Sequence, residues 1–417
     1  MAEPFPAEGL PLEQARQAVL AALSASPMDE LLPLQQALGR LSAAPVLAAE
    51  SVPGFRASIL DGYAISTPEP PAPGTRWQLV GRSAPGAPYS AELGAGEAIR
   101  ILTGAPLPTG GQRVLPQEQV QCPTATTLEL VEPVSDQPWI RAADEEASAG
   151  QQLLAAGTRL GAAELARLAS CGISQLAVTV RPRLGLLITG DELIPPGERR
   201  PPGAIWESNG TLLESLLTRL GYPVAQRRVV ADDPAALRLA LRELAAGSDV
   251  VVSTGGVSAG DSDWIRPLLA ELGEVAFWKL FLKPGRPFAF GSLQGPRGQA
   301  IPFFGLPGNP VAAAITALQL LWPALQQLEG AKPQLLPRLQ LPLAQDLRRR
   351  AGRPELARAR LQVDGSGLPM AWLEGRQASS RIGSLQEADL LLELPAEATD
   401  LAAGTLVWAQ LLRLPIF

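Results

Sequence analysis

Asp249-Val250-Val251-Val252-Ser253, followed by Thr254-Gly255-Gly256-Val257-Ser258-Ala259-Gly260-Asp261-Ser262-Asp263, reads as a buried strand running into a glycine-rich loop. A short apolar run without polar alternation suits a strand covered on both faces, as in a parallel sheet. Its neighbours repeat the pattern. Upstream, Leu184–Thr189 is another continuous apolar run, and 208–220 is helical and closed by Gly221. Residues 223–230 form a strand, and Asp232 or Asp233 caps a helix with Pro234 at its first position, running to about Ala246. Downstream come a helix near 263–272 and the strand 303–306. Gly308-Asn309-Pro310 follows, with Asn309 as the expected cap of a helix over 310–322. Strand and helix alternating at this spacing predict a three-layer α/β domain over 181–330 with a mostly parallel sheet.

Outside this region the periods change. Residues 11–24 are helical, 30–41 suggest a second helix, and 162–171 return to helix before Gly172. Between them, short strand-like runs such as 77–81, 98–102 and 127–131 are broken by Gly and Pro, predicting a β-rich insert domain over 46–146. The flanking parts, 8–45 and 147–180, are expected to join as a discontinuous helical linker domain. Residues 331–417 read as strands of a small C-terminal β barrel or sandwich. The fold class is thus multidomain α/β plus β.

Composition narrows the chemistry. The chain has 417 residues, 46% hydrophobic and 18% charged, enough for sizeable cores. Histidine is absent, so a Ser-His-Asp triad and any histidine metal site are excluded, and two cysteines, Cys122 and Cys171, argue against a disulfide framework. A net charge of −6 speaks against a broad nucleic-acid surface. The uncharged stretch 298–328 is broken by Gly-Asn-Pro, and reads as a buried core helix rather than a membrane span. With no basic, apolar leader at the N-terminus, a cytoplasmic location is expected.

Ligands of a parallel α/β sheet bind beyond the carboxyl ends of its strands. Three loops fall there: Thr189-Gly190-Asp191-Glu192, Ser253 to Asp263, and Gly305-Leu306-Pro307-Gly308-Asn309-Pro310. Small residues next to helix N-termini favour an anion, which points to a phosphate-bearing ligand. The same rim carries Asp191, Glu192, Asp232, Asp261 and Asp263. Carboxylates repel phosphate unless a hard cation lies between them, so Mg²⁺ is inferred, although Asp232 and Asp263 are equally readable as helix caps. Among the basic residues only three are lysines: Lys279, Lys283 and Lys332. Lys279 and Lys283 stand four apart in Phe277-Trp278-Lys279-Leu280-Phe281-Leu282-Lys283-Pro284-Gly285-Arg286-Pro287. On a strand both would face one side, with Arg286 nearby, as for binding a phosphate or oxyanion; a solvated edge is the plainer alternative.

The ordered motifs resemble one family. Val52-Pro53-Gly54-Phe55, Asp61-Gly62-Tyr63-Ala64, Arg100-Ile101-Leu102-Thr103-Gly104-Ala105-Pro106, Thr189–Glu192, Gly255-Gly256-Val257-Ser258 with Asp263, the Lys279–Pro287 stretch and Gly305–Pro310 are similar to the bacterial molybdopterin molybdenumtransferases, relatives of the gephyrin E domain. The resemblance covers about residues 10 to 415, with weaker support from 379–394. It implies insertion of molybdate into adenylylated molybdopterin, with release of AMP and help from Mg²⁺. It also implies an elongated homodimer whose cleft joins one subunit's N-terminal domains to the other's α/β domain. Asp61 and Thr103 would line the cleft from one side. Glu192, Asp232, Asp263, Lys279, Lys283, Pro307 and Pro310 would line it from the other, with Glu192 and Asp263 positioning the metal. Thr189, Gly190, Gly255, Gly256, Ser258, Gly308, Asn309 and Arg286 complete the expected substrate-binding set.

One departure stands out. In Ala143-Asp144-Glu145-Glu146-Ala147, Glu146 occupies the position of a family Asp and Asp144 that of a Gly, so Glu146 is a site candidate with altered reach. The absence of histidine is consistent with the family chemistry, because the dithiolene sulfurs that take molybdenum belong to the substrate. Implied partners are a molybdopterin adenylyltransferase upstream and molybdoenzyme-side acceptors downstream, with neither nucleic acid nor membrane. The competing readings are a molybdopterin adenylyltransferase, or a related nucleotide-pyrophosphate enzyme, and a gephyrin-like scaffold.

Overall fold

In the computed structural model, which describes residues 8–25, 28–257, 264–373 and 375–413, the chain forms two compact units. One comprises residues 31–38 and 42–178; the other comprises residues up to 30, 39–41 and 179 onward.

The larger unit is built on a six-stranded sheet in the order Val224–Val230, Leu184–Thr189, Val250–Thr254, Ala300–Leu306, Ala289–Gln294, Gly273–Trp278. The first four strands are mutually parallel, and Ala289–Gln294 runs antiparallel to both neighbours. All residues of Leu184–Thr189 and Val250–Thr254 are buried, which is why these strands read as unbroken apolar runs. The sequence leaves Leu184–Thr189 outward to Val224–Val230 and then returns to Val250–Thr254 on its other side. Connections therefore diverge between Leu184–Thr189 and Val250–Thr254, and a crevice opens at their carboxyl ends.

Local chemistry sets the helix ends. Asn209–Arg219 stops before Gly221, whose φ of +92° suits glycine. Of the two expected caps, Asp233 does the work: its carboxylate accepts from the Ala236 amide at 2.7 Å, ahead of Pro234 at the first helical position. The apolar helix Pro310–Leu328 is 83% buried over its most hydrophobic window and passes through a π-helical stretch, Ala317–Leu321. By length and composition alone it is the one described helix able to span a membrane.

Leu12–Ala21 packs into the α/β core through Ala15 and Val19, with Leu23 just beyond it. Arg16, 7% exposed, donates to the Gln319 carbonyl at 3.1 Å and to its side-chain oxygen at 3.0 Å, and Gln327 caps the carbonyls of Leu20 and Leu23. The helix expected over 30–41 is absent: a strand, Asp29–Pro33, leads into a single 3₁₀ turn, Leu34–Gln36. Pro33 lacks an amide proton and ends helical continuity there.

The C-terminal part is one antiparallel sheet of five strands, ordered Arg338–Pro342, Leu406–Leu411, Leu390–Leu394, Glu355–Val363, Pro369–Leu373. A single bridge between Leu343 and Ala371 draws its two edges together into a half-barrel.

In the smaller unit, a six-stranded sheet runs Arg113–Pro116, Gly62–Ile65, Glu97–Ile101, Arg76–Ser83, Thr127–Leu130, Val120–Thr124. Alternate residues feed two cores: Ala64, Ile99 and Val114 on one face, and Ile65, Ala98 and Leu115 on the other. A separate cluster of Leu34, Leu153, Leu160, Leu168 and Val178 gathers the helix Ala162–Ser170 and the short strands around it.

Candidate functional site

The crevice at the carboxyl ends of the central strands is a cavity of about 550 Å³. Of the expected residues it brings together Thr189, Gly190, Glu192, Asp232, Gly255, Gly256, Pro307, Gly308, Asn309 and Pro310. Hydrogen bonds fix the rim. The Thr189 hydroxyl donates to Asp232 Oδ1, and the Asp232 amide donates to Asp191 Oδ1 at 2.9 Å. Asn209 Nδ2 donates both to Thr254 Oγ1 at 2.9 Å and to the Gly308 carbonyl at 2.8 Å. The Thr254 hydroxyl in turn donates to the Pro307 carbonyl at 3.0 Å. Three loops distant in sequence are thereby locked.

Glycine is required where the first two loops meet. Gly255 has φ +94°, and a Cβ there would lie 2.3 Å from the Thr189 carbonyl oxygen. Ser258 and Asp263 lie outside the described residues, as does Asp261.

The third loop works differently from the expectation. Asn309 occupies the position before the helix Pro310–Thr316 but makes no side-chain cap, and the Val311 amide donates to the Ser379 carbonyl at 3.1 Å. That amide is therefore committed to the protein.

A second cavity, also about 550 Å³, shares Pro287, Pro307, Asn309 and Ser380 with the first. Its charged lining is cationic: Lys283, Arg286 and Arg353. Arg353 Nη1 donates to the Leu282 carbonyl at 3.0 Å, and burial together with the nearby Arg286 cation lowers its pKa. Lys283 pairs with Glu355 at 3.0 Å. Two backbone bonds, Lys283 N to Pro354 O at 2.9 Å and Leu356 N to Lys283 O at 2.8 Å, stitch the lysine loop to the C-terminal sheet. Arg353, Gln377, Ser379 and Ser380 were not singled out by sequence reasoning. Only Ser379 and Ser380 fall within the weak motif support over 379–394; Arg353 and Gln377 had no signal there.

Lys279 does not join Lys283. The strand ends at Trp278, and Lys279 has φ +68°, which breaks the alternation that would have put the two on one face. Its ammonium rests 4.0 Å from the Trp278 ring centroid, and it is not among the residues lining either cavity.

In the smaller unit, Asp61 and Thr103 extend from the paired strands Gly62–Ile65 and Glu97–Ile101. Asp61 Oδ1 accepts from both the Thr103 amide and hydroxyl, each at 2.8 Å. These two donors, backbone first, hold the Asp61 carboxyl below its ordinary pKa. Arg100 stacks on Tyr63 at 5.0 Å and donates to the Gly62 carbonyl and to Gln117. Glu146 pairs with Arg167 at 3.3 Å, and its amide donates to the Val52 carbonyl at 3.1 Å. Its longer side chain is thus engaged by a neighbouring cation.

For the expected magnesium ion, Glu192 and Asp232 line the first cavity. Among the described residues no three potential ligands cluster into a self-sufficient protein site. Two carboxylates without soft donors fit a hard cation that completes its shell with water and phosphate oxygens. Glu207, which also borders this cavity, is committed elsewhere: it accepts from the Gly210 amide at 2.6 Å and pairs with Arg227.

Comparison with known proteins covers nearly the whole chain. Residues 10–172 match the model of the MoeA N-terminal region (domain I and II), 185–327 that of a probable molybdopterin binding domain, and 340–412 that of the MoeA C-terminal region (domain IV). A molybdopterin molybdenumtransferase of Haemophilus influenzae is 32% identical, over 95% of this chain and 97% of its own. Molybdopterin molybdenumtransferase 2 of Mycobacterium tuberculosis is 30% identical, over 94% and 97% respectively. The crystal structure of a molybdopterin biosynthesis MoeA protein from Pyrococcus horikoshii OT3 superposes with a TM-score of 0.80 at 25% identity, covering 97% of this chain and 100% of that one.

Proposed function

The chain belongs to the molybdopterin molybdenumtransferase family, and from that premise we propose that it inserts molybdate into adenylylated molybdopterin with release of AMP. It is an enzyme of molybdenum cofactor biosynthesis. Matches along the whole chain, beyond its α/β part alone, disfavour the adenylyltransferase reading.

The observation carrying the mechanism is a pair of cavities of opposite character sharing one wall. The first offers carboxylates and closely approaching backbone, and suits the phosphoanhydride of the adenylylated substrate. There Glu192 and Asp232 would hold magnesium, whose charge offsets that of the phosphates. Thr189 orients Asp232 through its hydroxyl, and Asn209 fixes the loop carrying Pro307 and Gly308. The second cavity, with Lys283, Arg286 and Arg353, suits the molybdate oxyanion. Holding both reactants across one wall converts a bimolecular encounter into a local one. Asp61 is assigned to the reaction by the sequence resemblance; Thr103 keeps its carboxylate ionised through Oδ1, and Oδ2 is the atom that would accept a proton given up by the substrate's thiols. The assignments of Lys279 and Asp263, like the homodimer, rest on the sequence resemblance. So do the handover partners.

The test is reconstitution with purified protein, adenylylated molybdopterin, Mg²⁺ and molybdate. AMP and molybdenum-loaded cofactor should appear in equal amounts. AMP formation indifferent to molybdate, or activity with molybdopterin plus ATP instead, would defeat the proposal.

A further inference from the structure

Glu355 opens the strand Glu355–Val363 and is 7% exposed, yet it stands among cations. Its Oε1 lies 3.0 Å from the Lys283 ammonium. Its negative charge also raises the pKa of Arg353 and of the fully buried Arg358, opposing the burial that lowers both. A buried carboxylate is costly unless paired, and this one is paired with a residue that lines the oxyanion cavity. The ion pair therefore uses charge that would otherwise be offered to a ligand. Of the three lining cations, Lys283 thus has a carboxylate partner behind the wall, and the charge it offers a ligand is reduced.

We propose that Glu355 sets the charge preference of the oxyanion cavity by sharing the Lys283 ammonium with the ligand, so that the site favours tetrahedral dianions. The proposal rests on the reading of this cavity as the molybdate site. Glu355 is not itself among the residues lining that cavity, so it acts as a positioning and charge-setting residue behind the wall. Removing its charge adds one positive unit, and the gain scales with ligand charge. Because the attraction is proportional to the ligand's charge, the change in log affinity for a dianion is about twice that for a monoanion.

Perrhenate is a tetrahedral monoanion close to molybdate in shape, so the two probes separate charge from size. Equilibrium dialysis of the full chain against each, in native protein and in Glu355→Gln, should show molybdate affinity rising more than perrhenate affinity. The ratio of the two affinities should widen by at least about twofold, the bulk-water limit at roughly 8 Å. Glu355→Asp keeps the charge and should keep the native ratio; it carries the test if Glu355→Gln does not fold. A purely structural role would move both anions together. An unchanged ratio in Glu355→Gln, or a ratio in Glu355→Asp that departs from native, would overturn the proposal. Lys283→Met separates the two levels. If it fails to weaken molybdate binding, the oxyanion reading falls and this proposal with it. If it weakens binding while the ratio in Glu355→Gln stays native, only the role of Glu355 falls.

Discussion

Gly255 and Gly197 share φ +94° but differ in what surrounds them, and that contrast isolates the packing of the site. A Cβ on Gly197 meets nothing within 4 Å, whereas one on Gly255 lies 2.3 Å from the Thr189 carbonyl oxygen. Alanine at either position pays the left-handed backbone cost of about 1–2 kcal/mol. At Gly255 the strand end or the loop must also move by about 1 Å, and such overpacking adds about 1–3 kcal/mol. Gly197→Ala should therefore lose about 1 kcal/mol and Gly255→Ala about 3 kcal/mol in urea denaturation. Misplacing this rim should also cut molybdenum insertion about a hundredfold in Gly255→Ala, while Gly197→Ala stays close to native. Equal stability losses, or near-native turnover in Gly255→Ala, would refute the claim that the two loops are held at backbone contact.

Three further outcomes are expected. Asp233→Ala removes the side-chain cap of Pro234–Gly247 and should cost about 1 kcal/mol in thermal or urea unfolding with turnover intact. Thr103→Val removes one of two donors to Asp61 Oδ1, so the carboxyl, now held below its ordinary pKa, should titrate higher. Because a depressed carboxylate loses its charge only as pH falls through its folded pKa, the acid limb of the pH–rate profile should shift to higher pH. An unmoved limb would remove Asp61 from proton transfer. Glu192→Gln should raise the Mg²⁺ concentration needed for half-maximal activity while molybdate binding by dialysis stays native, since the two sites lie in different cavities.

The α/β layer was legible because its strands are buried on both faces and its helix ends carry local signals, such as Gly221, Asp233 and Pro234. The strand-end loops followed from topology, and Thr189, Glu192, Asp232 and Gly255 do converge. Features decided by long-range packing were not legible. Nothing local announces that Arg353 and Ser380 border the lysine loop, because the backbone bonds from Lys283 to Pro354 and Leu356 form only in the folded chain. The positive φ of Lys279 defeated a periodicity argument that assumes a continuous strand. Leu12–Ala21 joined the α/β core through Arg16 and Gln319, a pairing across most of the chain that its own amphipathic pattern does not specify.

The division of labour between the two cavities is tested most directly by soaking crystals of the protein in molybdate and locating molybdenum by its anomalous scattering. The account predicts a peak against Lys283, Arg286 and Arg353. A peak beside Glu192 and Asp232, with none among the three cations, would contradict it.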